Sequence, residues 1–181
     1  REQVLPSWQA TQRALRLWSA GCSSGEEPYS LAILLHEHLP NVERRDVRIL
    51  ATDISERMLT QAREAVYEEE TVNDVPPLLL RKYFVCVRTQ PTRAYQVRDS
   101  VRALVRLARL NLMEAWPMRG PFDVIFCRNV MIYFDNPTRQ RLVQRYYALL
   151  RPGGYLFVGH AESLTALTHD FRYVQPAVYV K

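Results

Sequence analysis

The residues best suited to chemistry begin with a small-residue loop followed by two carboxylates. Residues 21–25 read Gly-Cys-Ser-Ser-Gly, and Glu26, Glu27 and Pro28 come directly after them. Small residues let a backbone approach a ligand closely, and Pro28 suits the first turn of a helix. The loop has neither the G-x-G-x-x-G nor the G-K-[ST] pattern. Since Glu26 and Glu27 would repel a pyrophosphate, the loop favours the cationic S-adenosylmethionine over NAD or ATP. The alternative is that the two acids lie in the first turn of a helix and only complement its dipole. We favour this alternative for Glu27 more than for Glu26.

A carboxylate also ends a second strand-length apolar run. Asp53 closes residues 47–53, where an acid can accept hydrogen bonds from both hydroxyls of a ribose. The alternative is a cap for the helix that begins near Glu56, although Ser55 can serve as that cap. We expect the ribose role for Asp53.

A third apolar run, residues 123–129, ends in Arg128 and Asn129, and Tyr133 follows four positions later. The alternative for Tyr133 is a buried core tyrosine with a satisfied hydroxyl. The alternative for Asn129 is an ordinary turn residue at a strand end. From these residues alone, both alternatives stay open.

The elements that must position these groups alternate between strand and helix. Strand-length apolar runs occupy residues 15–21, 47–53, 123–129 and 155–160, and helical spacing occupies residues 27–39, 56–66 and 138–150. This alternation predicts a parallel α/β sheet with right-handed crossovers. Ligands of such sheets bind beyond the carboxyl ends of the strands. We therefore expect Gly21, Asp53 and Asn129 to meet at one edge.

Two stretches fall outside the alternation. Residues 83–112 predict a small β insertion at about 83–110, with strands at 95–97 and 105–112 and a turn at 90–93. A helix over residues 100–110 is the alternative. Residues 171–175 and 177–181 form a closing pair of runs that could complete the main sheet at one edge.

Composition is that of one folded domain, with 48% hydrophobic and 24% charged residues in 181. No run reaches the roughly 18 apolar residues of a membrane span, and residues 1–10 lack the apolar core of a signal peptide, so we expect a cytoplasmic protein. Cys22, Cys86 and Cys127 have no zinc spacing, and we expect reduced thiols and no metal. The net charge of +5 suits an acidic partner, either nucleic acid or an acidic protein helix. The alternative, and the more common explanation of such a charge, is a solvated basic face.

Four segments together resemble one family. Residues 17–30 (LWSAGCSSGEEPYS), 51–54 (ATDI), 126–134 (FCRNVMIYF) and 159–164 (GHAESL) are similar to the CheR family of chemoreceptor methyltransferases. The turn at 150–154 (LRPGG) also resembles that of many class I methyltransferases. The resemblance implies a class I, Rossmann-like sheet with helices on both faces. It also implies O-methylation, from S-adenosylmethionine, of glutamates on the cytoplasmic helical domain of bacterial chemoreceptors.

The resemblance also implies roles for individual residues. Tyr133 faces the methyl donor and is the catalytic candidate. Among the cofactor-binding candidates, Gly21 forms the glycine turn, Glu26 contacts the methionine moiety and Asp53 accepts the ribose hydroxyls. Asn111 and Leu112 lie near the adenine, and Arg128 and Asn129 line the cleft.

The chain departs from the family pattern at two places. The family carries an amino-terminal helical domain and an arginine-bearing segment before the first strand, and we recognise neither in this sequence. Residues 1–14 resemble the helix that follows them in the family. We therefore expect residues 15–181 to be the methyltransferase domain. Some relatives bind a receptor-tail pentapeptide through a loop with a Gly-x-Gly turn. Residues 88–94 (RTQPTRA) contain no glycine, so we expect no tight binding of that peptide.

Two other functions remain as alternatives. A class I methyltransferase acting on RNA or a small molecule would use the same cleft, although no basic stripe interleaved with aromatics favours nucleic acid. A cofactor-binding sensor or docking module without turnover is the other.

Overall fold

The structure, a computed structural model, describes residues 13–181. The predicted helix at residues 1–14 lies outside the described residues except for its last two positions. The strands are β1 (Leu15–Ala20), β2 (Val47–Asp53), β3 (Val66–Glu68), β4 (Phe84–Arg88), β5 (Ala94–Val97), β6 (Val105–Arg109), β7 (Phe122–Cys127), β8 (Leu150–Val158), β9 (Arg172–Gln175) and β10 (Val178–Val180). The helices are α1 (Glu26–His38), α2 (Glu56–Glu64), α3 (Pro77–Tyr83), α4 (Asp99–Arg102) and α5 (Asn136–Leu149), with 3₁₀ turns at Val42–Arg44 and Met131–Tyr133.

The main sheet has seven strands in the order β6-β2-β1-β7-β8-β10-β9. The first five in that order pair in parallel, and β10 pairs antiparallel with both β8 and β9. The predicted parallel sheet and its closing edge pair are thus confirmed. Strands β2 and β6 lie on one side of β1, and the later strands β7 and β8 lie on its other side. The direction in which strands are added therefore reverses between β1 and β7, which is the switch point of the sheet.

Both faces of the sheet are covered. In β1, Leu15 and Leu17 face one apolar core, which α1 and α2 complete, whereas Trp18 and Ala20 face a second core completed by α5. Alternate residues of a strand point to opposite faces, so one apolar strand can supply both cores. The expected helices on both faces are confirmed.

Trp18 anchors the second core. Its ring is fully buried, lies edge-on to Trp116 at 4.9 Å and to Tyr146 at 5.5 Å, and its Nε1 donates to Thr52 Oγ1 at 2.9 Å. Satisfying the indole N–H removes the penalty of burying it, and aromatic contacts of this kind contribute about 1 kcal/mol each beyond burial. The core therefore supports the end of β2, where Asp53 lies.

The insertion differs from its predicted bounds. It is a three-stranded antiparallel sheet, β3-β5-β4, that spans residues 66–97, while Val105–Arg109 pairs in parallel with β2 as an edge of the main sheet. The prediction of an insertion at about 83–110 was therefore wrong at both ends. Strand β3 has three residues, too few for a recognisable period, and β6 has two arginines among its five residues, so it lacks the continuous apolar run of a buried parallel strand. The alternative of a helix over residues 100–110 is correct only at its start, where α4 covers Asp99–Arg102.

None of the helices in the part of the chain that the structure describes is long and apolar enough to cross a membrane.

Candidate functional site

A cavity of about 340 Å³ lies where β1, β2, β6 and β7 end. Its lining includes six of the predicted site residues: Gly21, Asp53, Asn111, Leu112, Asn129 and Tyr133. Pockets for small ligands commonly occupy about 300–1,000 Å³ and favour the switch point of an α/β sheet. The structure therefore brings most of the predicted residues together in a space suited to a nucleoside-sized ligand.

The turn after β1 requires glycine at its first position. Gly21 has a φ of +82°, and a Cβ there would lie 2.3 Å from Val130 Cγ2. The N–H groups of Gly21 and Cys22 both donate to the Thr52 carbonyl, at 2.8 and 2.9 Å. The loop after β1 is thus held against both the end of β2 and the turn after β7.

Asp53 has acceptor capacity to spare. Its Oδ2 accepts the Ser23 N–H at 2.8 Å and its Oδ1 accepts the Ser55 N–H at 2.9 Å. Each carboxylate oxygen can accept two hydrogen bonds, so each retains one for a ligand. Ser55, not Asp53, provides the side-chain cap of α2 by accepting the Met58 N–H. The residues present therefore fit a ribose diol.

The turn after β6 brings Asn111 and Leu112 to the cavity. Asn111 Oδ1 accepts the Met113 N–H, and its Nδ2 donates to Glu114, both at 3.0 Å. The Leu112 carbonyl accepts a bond from Arg145 at 2.7 Å. These contacts hold the turn in one conformation, with the Leu112 side chain nearly buried.

Asn129 and Tyr133 come from the turn after β7. Asn129 has a φ of +59°, a left-handed conformation that asparagine tolerates better than most residues. Tyr133 ends the 3₁₀ turn and is 79% exposed, so the alternative of a buried core tyrosine was wrong. Tyr133 therefore lies at the solvent-exposed edge of the cavity.

Two predicted residues do not line this cavity. Both carboxylate oxygens of Glu26 accept a bond from Ser24 Oγ, and Glu26 lines a separate cavity of about 80 Å³ beside Tyr67. Arg128 donates to Glu27 at 3.3 Å, and Glu27 also accepts from the buried Ser19 hydroxyl at 2.7 Å. Glu27 is thus the acid tied to the end of the sheet, and the sequence signal for it was the serine at the end of β1.

Sequence reasoning missed the apolar wall of the cavity. Ile54, Leu110, Val130 and Phe134 line it beside the polar residues. Each of the four is directly adjacent in sequence to a predicted site residue, and this adjacency is the signal that could have identified it. An apolar wall with a few convergent polar groups is typical of cofactor sites.

The cysteines beside the cavity are poor nucleophiles. Burial, reinforced by the charge of Asp53, raises the pKa of Cys22 to about 12. Burial likewise raises the pKa of Cys127 to about 12. Both stay protonated near neutral pH, so neither is suited to thiolate chemistry. Within residues 13–181 no group of three or more His, Cys, Asp or Glu is arranged to hold a metal ion.

Known proteins resemble this chain in both sequence and fold. Residues 1–180 match the family described as "CheR methyltransferase, SAM binding domain". A probable chemotaxis protein methyltransferase of Rhizobium etli is 44% identical over 168 residues, covering 91% of this chain and 63% of that protein. The chemotaxis protein methyltransferase of Escherichia coli is 39% identical over 165 residues, covering 91% and 57%.

A solved structure shares the fold at low identity. The structure of PKMT2 from Rickettsia typhi matches with a TM-score of 0.50 and 15% identity, covering 87% of this chain and 24% of that one. The chain itself spans between 57% and 63% of the two relatives' lengths. Because the family match runs along nearly the whole sequence, the chain belongs to the CheR methyltransferase family as its S-adenosylmethionine-binding domain, with the class I methyltransferase fold.

Proposed function

We propose that this domain binds S-adenosylmethionine in the cavity at the strand ends and methylates glutamate side chains of bacterial chemoreceptors in the cytoplasm. The observation that carries the proposal is the convergence of Gly21, Asp53, Asn111 and Tyr133 on one cavity at the switch point of the sheet. The names of the relatives, chemotaxis protein methyltransferases, support the substrate class.

Binding is assigned to three turns. The free lone pairs of Asp53 accept the ribose hydroxyls, and the turn at Asn111 and Leu112 holds the adenine. Gly21 lines the cavity and, having no side chain, lets the main chain approach the cofactor closely. Glu26 and Arg128 are proposed to contact the cofactor only after their side chains leave Ser24 and Glu27, because those bonds hold them outside the cavity lining.

When bound, the cofactor supplies an electrophilic methyl group on a sulfonium. A glutamate acceptor is ionised at neutral pH, so the domain needs no strong general base. The Tyr133 hydroxyl donates a hydrogen bond that orients the incoming carboxylate, and Val130 and Phe134 exclude water from it. Alignment and desolvation are therefore the terms this domain contributes, and misplacement of such groups costs about a hundredfold in rate.

Calorimetry with S-adenosylhomocysteine tests the binding site. We expect Asp53→Ala to weaken binding by about tenfold or more, roughly 1.4 kcal/mol, because both ribose bonds are lost. Asp46→Ala is the matched control, since Asp46 precedes the same strand at its opposite end and pairs with Arg16. Equal affinity of the wild type and the Asp53 variant would remove Asp53 from the site.

Transfer of labelled methyl groups tests the acceptor. Receptor membranes should accept label that alkali releases as methanol, the behaviour of a carboxyl methyl ester. Tyr133→Phe should lower the turnover number by about tenfold or more while the affinity for S-adenosylhomocysteine stays within about twofold. Label in RNA but not in receptor would favour the nucleic-acid alternative, and tight cofactor binding without transfer to any acceptor would favour a sensor.

We also propose that this domain does not bind a receptor-tail pentapeptide tightly. The turn between β4 and β5 is tied down by bonds from Arg88 and Thr92 to Glu68. It also lacks glycine, so its main chain has less freedom to rearrange around a peptide. Micromolar binding of such a peptide, measured by calorimetry, would contradict this part of the proposal.

A further inference from the structure

A buried carboxylate lies directly beneath the turn that carries Asn129 and Tyr133. Glu162 is 1% exposed. Its Oε2 accepts the N–H groups of Asn129 at 2.8 Å and Gly159 at 2.6 Å, and its Oε1 accepts those of Val130 at 2.8 Å and Ile132 at 3.1 Å. The two oxygens of one side chain thus bind four main-chain N–H groups.

The charge makes these bonds strong. A carboxylate is costly to bury unless several donors satisfy it, and hydrogen bonds to an ionised acceptor are about twice as strong as neutral ones. Because each oxygen of Glu162 already accepts two N–H groups, its capacity is used by the backbone. Glu162 is therefore suited to shaping the main chain rather than to binding a ligand.

Three of the four donors belong to the turn after β7. The N–H groups at the start of the 3₁₀ turn Met131–Tyr133 need partners outside that turn, and Glu162 supplies an acceptor for Val130 and Ile132. The same carboxylate holds Asn129, whose φ of +59° is a less favourable conformation for an L-residue. A residue about 30 positions away in sequence thus determines the shape of this turn.

The residue at position 159 must be glycine for this arrangement. A Cβ there would lie 2.5 Å from Glu162 Oε2 and 3.0 Å from Asn129 Oδ1. Both distances are shorter than a carbon and an oxygen can approach without displacement. An added methyl group would push the carboxylate away from its donors without removing its charge.

We propose that Glu162 is the positioning residue of the site: it holds the 129–133 turn so that Asn129 faces the cofactor and Tyr133 faces the acceptor carboxylate. The assignment of those two partners rests on the proposed function, whereas the control of the turn rests on the contacts themselves. Glu162 touches neither reactant and acts through the turn.

Glu162→Gln is the direct test, because glutamine keeps the shape but one terminal atom becomes a nitrogen that cannot accept. In either amide orientation two of the four N–H groups lose their acceptor. In the ligand-free variant, hydrogen exchange should rise by about tenfold or more at the pair of N–H groups that loses its acceptor, either Val130 and Ile132 or Asn129 and Gly159, with β1 amides unchanged. Affinity for S-adenosylhomocysteine should fall by about tenfold, and turnover should stay low at saturating cofactor.

Asp123→Asn is the matched control. Asp123 is also a buried carboxylate that accepts a main-chain N–H, from Arg16, but it lies at the opposite end of β7. Its variant should lower the melting temperature yet leave affinity for S-adenosylhomocysteine within about twofold. If Glu162→Gln does not fold, Gly159→Ala takes its place with the same expected exchange and affinity changes.

A double-mutant cycle separates positioning from general stability. If Glu162 acts on turnover through Tyr133, Glu162→Gln should lower turnover much less in a Tyr133→Phe background than in the wild type. Additive effects, or unchanged exchange at the 129–133 turn, would overturn the proposal. Wild-type protein that binds no S-adenosylhomocysteine would instead overturn the proposed function, and the exchange measurement on ligand-free protein would still decide the role of Glu162.

Discussion

At the scale of single residues, the three thiols of the chain have very different surroundings. Cys22 and Cys127 are buried, and burial raises the pKa of each to about 12. Cys86 is exposed on β4. Because the thiolate is the reactive form, the two buried thiols have little reactive species at neutral pH.

We predict that a disulfide reagent at about pH 8 labels one thiol per native chain and three per unfolded chain. Because burial raises the pKa of both Cys22 and Cys127 to about 12, these two thiols stay protonated in the native protein at pH 8. The measurement is the count of released chromophore with and without denaturant. Cys86→Ser should abolish the rapid native phase and leave cofactor affinity unchanged, and rapid labelling of a second thiol in the native chain would contradict the prediction.

At the scale of elements, side chains of α5 bond to the turn that follows β6 and stabilise it. Arg145 donates to the carbonyls of Leu112 at 2.7 Å and Glu114 at 2.6 Å, and its guanidinium lies 3.5 Å from the Trp116 ring centroid. Trp116 stacks on Tyr146 of the same helix. One helix on the far side of the core thus holds the turn that carries Asn111.

We predict that Arg145→Leu weakens binding of S-adenosylhomocysteine by about fivefold or more, because two charge-assisted bonds and a cation–π contact that hold the turn are lost. Calorimetry and the melting temperature measure the effect. Arg141→Leu is the matched control, since Arg141 lies on the same helix and donates a hydrogen bond to Thr138 within that helix rather than to the turn after β6. Equal affinities for the Arg145 and Arg141 variants would show that the turn holds without this support.

At the scale of the whole molecule, we expect the excess of positive charge to affect binding of the proposed receptor partner more than binding of the cofactor. The chain carries a formal net charge of +5. A positively charged protein attracts a negatively charged partner, and salt screens this attraction. The screening length falls from about 30 Å at 0.01 M to about 8 Å at 0.15 M ionic strength. A ligand enclosed in a cavity is screened much less.

We predict that raising the salt concentration from about 0.05 M to about 0.5 M increases KM for an acidic receptor domain by about fivefold or more. Affinity for S-adenosylhomocysteine, which carries no net charge, should change by less than about twofold under the same conditions. Initial rates and calorimetry give the two values, with sucrose at equal osmolality as the control. A salt-independent KM would mean that the charge of this domain does not attract the receptor.

The sequence by itself determined the architecture of the sheet and the location of the cavity. Strand and helix patterns are local, and the carboxyl ends of parallel strands share an edge, so Gly21, Asp53 and Asn129 could be assigned to one site before any contact was known. Asn111 and Leu112 needed the family resemblance, because the turn after β6 has no distinctive residue pattern. The bounds of the insertion were wrong because a three-residue strand and an arginine-rich edge strand carry little periodicity.

Only the tertiary structure decided which side chains support the site. Glu26 and Glu27 are neighbours in one helical turn, and their sequence does not show which of them is bonded to the end of the sheet. In the structure it is Glu27, because Ser19 and Arg128, which lie at the ends of two different strands, both donate to it. The roles of Arg145 and Glu162 depend on contacts across about 30 residues of chain. Such contacts leave no periodic signal, because they are specified by where the folded chain brings main-chain donors and acceptors rather than by the spacing of residue types.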